Sequence, residues 1–196
     1  MSRYVSQILK LVLLTCTGLA GSVVIGLMIY GSDVFSFQNV GFSFVSFGLS
    51  GAFIFAFYHV RGLSETITAA VVVSAIQFAA STTWISVLNA AIWSFGVNLP
   101  LILVAFLFER KLAPFKQFKF VVVAGLYGAM FVLLTLLAAW FSGTGLLPAS
   151  VFRGNFLDGL LIGLGVGLGI EAGEAFIHSL EHHSTPKLPA SGVKPT

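Results

Sequence analysis

TITAAVVVSAIQFAASTTWISVLNAAIWSFGVNLPLILVAFLF, residues 66–108, holds no Asp, Glu, Lys, Arg or His in 43 positions. As one helix at 1.5 Å per residue it would be about 64 Å long, twice the hydrocarbon core of a bilayer. The stretch must therefore fold back on itself. Ser81-Thr82-Thr83 is the polar break near its middle, so two helices are expected, near 65–81 and 84–108.

The rest of the chain reads the same way. Uncharged blocks run 11–32, 34–58 and 120–152, and an interrupted one fills 154–177. They predict further helices near 8–30, 40–60, 119–141 and 155–178. The fold class expected is all-α: a polytopic transmembrane helical bundle of about six spans, residues 1–183, followed by a disordered cytoplasmic tail, 184–196. The third helix is short, and five spans with a re-entrant segment is the alternative. Arg3 and Lys10 precede an apolar run and Gly18-Leu19-Ala20 looks like a cleavage site. The run continues to Ser32, longer than the roughly 7–15 residues of a signal h-region, so a retained first helix is expected.

Composition agrees. Hydrophobic residues make up 57% of the 196 and charged residues 9%, against about 25% in soluble domains. So few charges cannot cover a water-facing surface. The formal charge is +3, but the ten Lys and Arg are spread between apolar blocks, which argues against nucleic acid as a partner. A single cysteine, Cys16, excludes an internal disulfide and a multi-cysteine metal site.

Six spans with both ends inside put Arg3, Lys10, Arg61, Arg110, Lys111, Lys116, Lys119, Lys187 and Lys194 on the cytoplasmic side, and only Arg153 outside. This is the asymmetry of the positive-inside rule. Tyr4, Tyr30, Tyr58, Trp84 and Trp140 fall near expected span ends, as in an aromatic belt. The expected location is multi-pass, in a bacterial cytoplasmic membrane.

Candidate functional residues are few. In the last span Gly159, Gly163 and Gly167 form one small-residue ladder, and Gly165, Gly169 and Gly173 a second on another face. Such ladders let a neighbouring backbone approach closely. Either the sixth helix is central and flanked on two sides, or a ladder serves a partner membrane subunit or a homo-oligomer. Gln77, Asn89 and Asn98 are amides inside spans. Pro100 cannot donate a backbone bond and should free a carbonyl near Gly96. Amides and freed carbonyls line polar cavities, so these three are candidate substrate-binding residues; interhelical hydrogen bonding is the competing reading. Glu171 and Glu174 join them as candidates. With His178 and His182 they form a stripe within an arc of about 80° that a proton relay or a divalent metal could use. The competing reading is a solvated helix face. His59 is expected on the same side as the stripe.

Gly48-Leu49-Ser50-Gly51 resembles the GxSG of rhomboid intramembrane proteases, where the serine pairs with a histidine two helices later on a glycine-rich span. The fourth span here has no histidine, and the glycine-rich sixth offers Asp158 instead. A serine without a base is a poor nucleophile. No catalytic residue, metal site or cofactor is assigned, and an enzyme is not expected. In size and topology the chain is similar to the substrate-binding S components of energy-coupling-factor transporters. That resemblance implies a vitamin-like or metal substrate and a separate energising partner. A transport component that binds a small solute between helices is the leading expectation. A structural or assembly subunit is the alternative.

Overall fold

The structure, a computed structural model, describes residues 3–36, 40–83, 85–111, 119–145 and 147–184. The six helices expected from the sequence are present: α1 (Arg3–Tyr30), α2 (Ser43–Arg61), α3 (Leu63–Ser81), α4 (Val87–Lys111), α5 (Lys119–Phe141) and α6 (Ala149–Ser184). Two 3-10 turns, Gly31–Phe35 and Val40–Phe42, lie between α1 and α2. Among the described residues there is no strand. Among the described residues five helices are long and apolar enough to cross a membrane, and the apolar stretch Val87–Ile102 of α4 is shorter. The expected tail from Ser184 lies outside the described residues apart from Ser184 itself, the last residue of α6.

The fold-back falls where the polar break predicts it. α3 stops at Ser81, and the hydroxyls of Thr82 and Thr83 donate to the carbonyls of Ala79 and Ala80 at 2.8 and 2.6 Å. These two side chains satisfy carbonyls that a helix end leaves without partners. α4 begins at Val87 rather than 84, because Ser86 caps it: its Oγ accepts the Asn89 N–H at 3.3 Å. α3 is one continuous helix of 19 residues, about 28 Å at 1.5 Å per residue. That is long enough to cross a bilayer.

The turn between α2 and α3 is a single residue. Gly62 has φ +86°, a backbone conformation that a side chain would disfavour. Its N–H donates to the Tyr58 carbonyl at 2.9 Å, and its own carbonyl accepts the Thr66 hydroxyl at 2.6 Å.

Each helix packs on its neighbours in sequence, and α6 returns to α1, closing a ring. α2 also touches α4 and α6, so it lies toward the middle. The core is built from Leu14, Phe44, Ile54, Val97, Leu101, Tyr127, Phe131, Ile162 and Val166. Outward faces are apolar too: Met28, Ile76 and Trp140 are 82, 65 and 78% exposed. A water-facing surface would not carry such side chains on every flank.

The glycine ladders explain how α6 packs closely on two sides. A Cβ on Gly165 would lie 2.6 Å from Ser22 Cα, and one on Gly169 2.8 Å from Gly18 Cα, so both glycines admit the α1 backbone. Gly173 sits over Thr17 and Leu14 of the same helix. On the other face Gly159 abuts the backbone of Tyr127 and the ring of Phe131 in α5. Gly163 and Gly167 are buried within the chain. Both glycine faces of α6 are thus flanked closely by helices of the same chain.

At one end of the bundle three ion pairs tie helices together. Lys10 of α1 meets Glu181 of α6 at 2.6 Å, His59 of α2 meets Glu174 at 3.3 Å, and Arg61 meets Glu65 across the α2–α3 turn at 3.8 Å. The amino end of α1, the carboxyl ends of α2 and α6 and the start of α3 therefore share one face, as the sequence expects.

Candidate functional site

Polar side chains inside a helical bundle have to find one another, because lipid and apolar neighbours offer no hydrogen bonds. Two of the three expected amides do so. Asn98 of α4 donates from Nδ2 to Gln77 Oε1 at 2.8 Å, and Gln77 of α3 donates from Nε2 to Ser46 Oγ of α2 at 2.8 Å. The result is a hydrogen-bonded relay through three helices. Ser46, in the first turn of α2, carries no sequence signal beyond being a hydroxyl in an apolar run.

The relay does not use all the hydrogen-bonding capacity around it. Asn98 is fully buried and its Oδ1 has no partner among the described residues. The same holds for Ser74 Oγ and Ser94 Oγ, on residues 0 and 1% exposed. Ser74 lies three residues from Gln77 on α3, and Ser94 four residues from Asn98 on α4. Both are therefore within about 6 Å, along the helix axes, of the Gln77–Asn98 bond. An unsatisfied buried polar atom costs about 1–3 kcal/mol. A fourth such atom, Asn89 Oδ1, lies further along α4.

On its α2 side the relay borders a groove of about 420 Å³ between α2 and α3. Ser46, Ser50, Gln77 and Ser81 give it polar atoms, and Leu49, Phe53, Val73 and Ile76 give it apolar walls. A second cavity continues from the shared residues Phe53, Val73 and Ile76 past Phe57 and Ala69 to Glu65. Together they form a furrow along the α2–α3 hairpin.

The remaining candidates lie elsewhere. Asn89 is nine residues before Asn98, about 14 Å along α4, with its backbone N–H on Ser86. Glu171 and Glu174 belong to the face that carries the three ion pairs. His59 and Ser46 are 13 residues apart on α2, which puts the Glu174–His59 pair about 20 Å from the relay. The five residues therefore do not form one site. Among the described residues no cluster of three or more metal-ligating side chains is found. The side chain of His182 lies outside the described set.

Two features were not legible in the sequence. Asp158 is only 7% exposed, and its Oδ1 accepts the Tyr30 hydroxyl at 2.7 Å, a pair 128 residues apart that ties α6 to α1. Tyr30 packs on Phe44 and so is a tether rather than a belt residue. Of the expected belt residues, Tyr4 and Trp140 are exposed, and Trp84 lies outside the described residues. The second feature is the role of Gly48-Leu49-Ser50-Gly51. Gly48 admits Ser22 of α1, and Gly51 receives the Tyr127 hydroxyl of α5, which donates to the Phe47 carbonyl at 3.3 Å. Ser50 donates back to that same carbonyl at 3.3 Å. The glycines serve helix packing.

Fold and site together define, among the described residues, a helical bundle with an apolar exterior and a polar relay, Ser46–Gln77–Asn98, beside a lateral groove. No protein-family model, curated protein or solved structure matches the chain.

Proposed function

We propose that this chain is a six-span membrane protein, with both ends on the cytoplasmic side, that binds a small uncharged solute at the Ser46–Gln77–Asn98 relay as part of a transport system. The observation that carries the reading is the opening of two members of the relay, Ser46 and Gln77, onto the groove between α2 and α3. The face bearing Lys10, His59 and Arg61 is assigned to the cytoplasm by the positive-inside rule, in a bacterial cytoplasmic membrane.

Two experiments test this. Native mass spectrometry of the gently extracted protein should show a retained small molecule that disappears in Gln77→Leu and Asn98→Leu. Loss of stability in both variants with the retained molecule unchanged would assign the amides to adhesion. Reporter fusions near Asp33, Thr82 and Ala149 should report outside, and those near Ser64, Lys116 and Lys187 inside. A cytoplasmic signal at Thr82 would sink the six-span topology.

The second reading is an assembly subunit. The ladder of Gly165, Gly169 and Gly173 faces α1 of the same chain, so a partner would dock elsewhere. A stoichiometric membrane subunit that co-purifies in the absence of any small molecule would favour it.

A further inference from the structure

We propose that the ligand of the relay is a neutral amphiphile that enters sideways from the bilayer, its uncharged head on Ser46 and Gln77 and its chain along the α2–α3 furrow. The inference rests on the solute-binding reading above and names the ligand class.

Three observations carry it. The first is the direction of the opening. Leu49 and Ile76 line the groove and are 45 and 65% exposed on the outer flank of the bundle. In a bilayer that flank faces acyl chains, so the groove opens to lipid along its side, and its outer end reaches Phe42 and Ser81 at the ends of the two helices.

The second is depth and shape. Ser46 is three residues from the start of α2 and Gln77 four residues from the end of α3. The polar end of the furrow is thus about one helical turn below the non-cytoplasmic surface, where a lipid of that leaflet keeps the polar part of its head. From Gln77 to Glu65 the furrow runs along 12 residues, about 18 Å, past Phe53, Val73 and Ile76. Polar at one end and apolar along its length, it has the outline of a single-chain amphiphile. The 420 Å³ of its polar end is within the usual range for small-molecule sites, about 300–1,000 Å³.

The third is charge. The polar end has no Lys, Arg or His in its lining. A phosphate or carboxylate there would be a desolvated charge without a partner. What the site does offer suits a hydroxyl, ester or amide. Gln77 Nε2 has a second N–H, Gln77 Oε1 a second lone pair, and the Ser46 hydroxyl, which accepts from Gln77, still has its proton to donate.

The experiment uses the full-length chain in phosphatidylcholine nanodiscs. One probe is monooleoylglycerol with a diazirine in its acyl chain; the other is lysophosphatidic acid with the same chain. Photoadducts of the first probe should map to Leu49, Phe53, Val73 and Ile76 and be competed by unlabelled monooleoylglycerol. Gln77→Leu should weaken its apparent affinity about tenfold, the upper range for a lost neutral hydrogen bond. Val73→Trp and Leu49→Trp fill the furrow from its lipid-facing rim and should cut labelling about tenfold or more, with thermal stability as the folding control. Labelling by the phosphate-headed probe should be weaker by a similar factor. Equal labelling by both probes, or labelling unchanged in Val73→Trp and Leu49→Trp, would show ordinary annular lipid and overturn the proposal. The two readings fail separately. If Gln77→Leu and Asn98→Leu release the molecule seen by native mass spectrometry and the furrow variants do not, the relay binds a water-borne solute and only the amphiphile inference falls. If the amide variants release nothing, both fall.

Discussion

Gly165→Ala is the smallest change that tests how the bundle closes. The new Cβ would lie 2.6 Å from Ser22 Cα and 2.7 Å from Gly21 O and Ser22 N. All three are backbone atoms of α1, so no side chain can rotate away. Ordinary contact begins at 3.4 Å, and the difference of about 0.8 Å is the distance α1 must retreat. A gap of that size forfeits a quarter to a half of each atom pair's attraction, which is itself about 0.1–0.2 kcal/mol. If the seam has on the order of 50 such pairs, as many as one buried leucine makes, the loss is about 2–3 kcal/mol. Replacing glycine inside a helix returns about 1 kcal/mol. The net expectation is about 1–2 kcal/mol of destabilisation. Gly125→Ala in α5 is the control: nothing lies within 4 Å of its Cβ position, so only the helix gain remains. Reversible unfolding in mixed micelles should separate the two variants by about 2–3 kcal/mol. Agreement within about 0.5 kcal/mol would mean the α1–α6 seam is looser than the structure shows, and the argument would fail. Gly169→Leu should prevent folding or assembly altogether.

Gly62→Ala should cost roughly 1–3 kcal/mol in the same assay, the penalty of a side chain at φ +86° and ψ −174°, a region essentially restricted to glycine; a neutral result would mean the turn can be made another way. Tyr30→Phe removes the hydrogen bond to Asp158 and should cost about 1.5–3 kcal/mol if the carboxyl is ionised, whereas Tyr4→Phe, at an exposed ring, should change nothing measurable. Glu174→Gln should change stability by less than about 1 kcal/mol, since its partner His59 is half exposed. Should Glu171→Gln and Glu174→Gln leave solute binding and uptake at wild-type levels, the acidic stripe is ordinary helix surface.

Helix number and order were legible because they follow from run length against bilayer thickness and from one polar break. Boundaries were less so. Hydropathy measures the stretch that suits lipid, whereas backbone hydrogen bonding continues past it. α6 therefore begins at Ala149 and ends at Ser184, where the apolar run suggests 155–178, and α1 begins at Arg3 rather than 8. The glycine ladders announced a tightly flanked helix but not that one flank is α1, since no local pattern says which distant helix fills a notch. The amides were visible as polar atoms in apolar runs. That Gln77 chooses Asn98 and Ser46, and that Asn89 stands apart, depends on the antiparallel register of α3 and α4. Asp158 reads as a residue near a span end that could reach the headgroups. Its burial follows from Tyr30, whose ring position depends on Phe44 and the α1–α2 turns.

The seam between α1 and α6 also has a timetable. Its two sides, Thr17 to Ser22 and Gly165 to Gly173, are about 140 residues apart. At about 5–20 residues per second, the ribosome needs roughly 7–30 s to supply the second side after the first has emerged. Throughout that interval α1 has a face of small residues, Gly18, Gly21 and Ser22, with no permanent neighbour except α2. The nascent chain thus passes through a stage in which α1 is open to the wrong partner, including another copy of itself, and the arrival of α6 ends it.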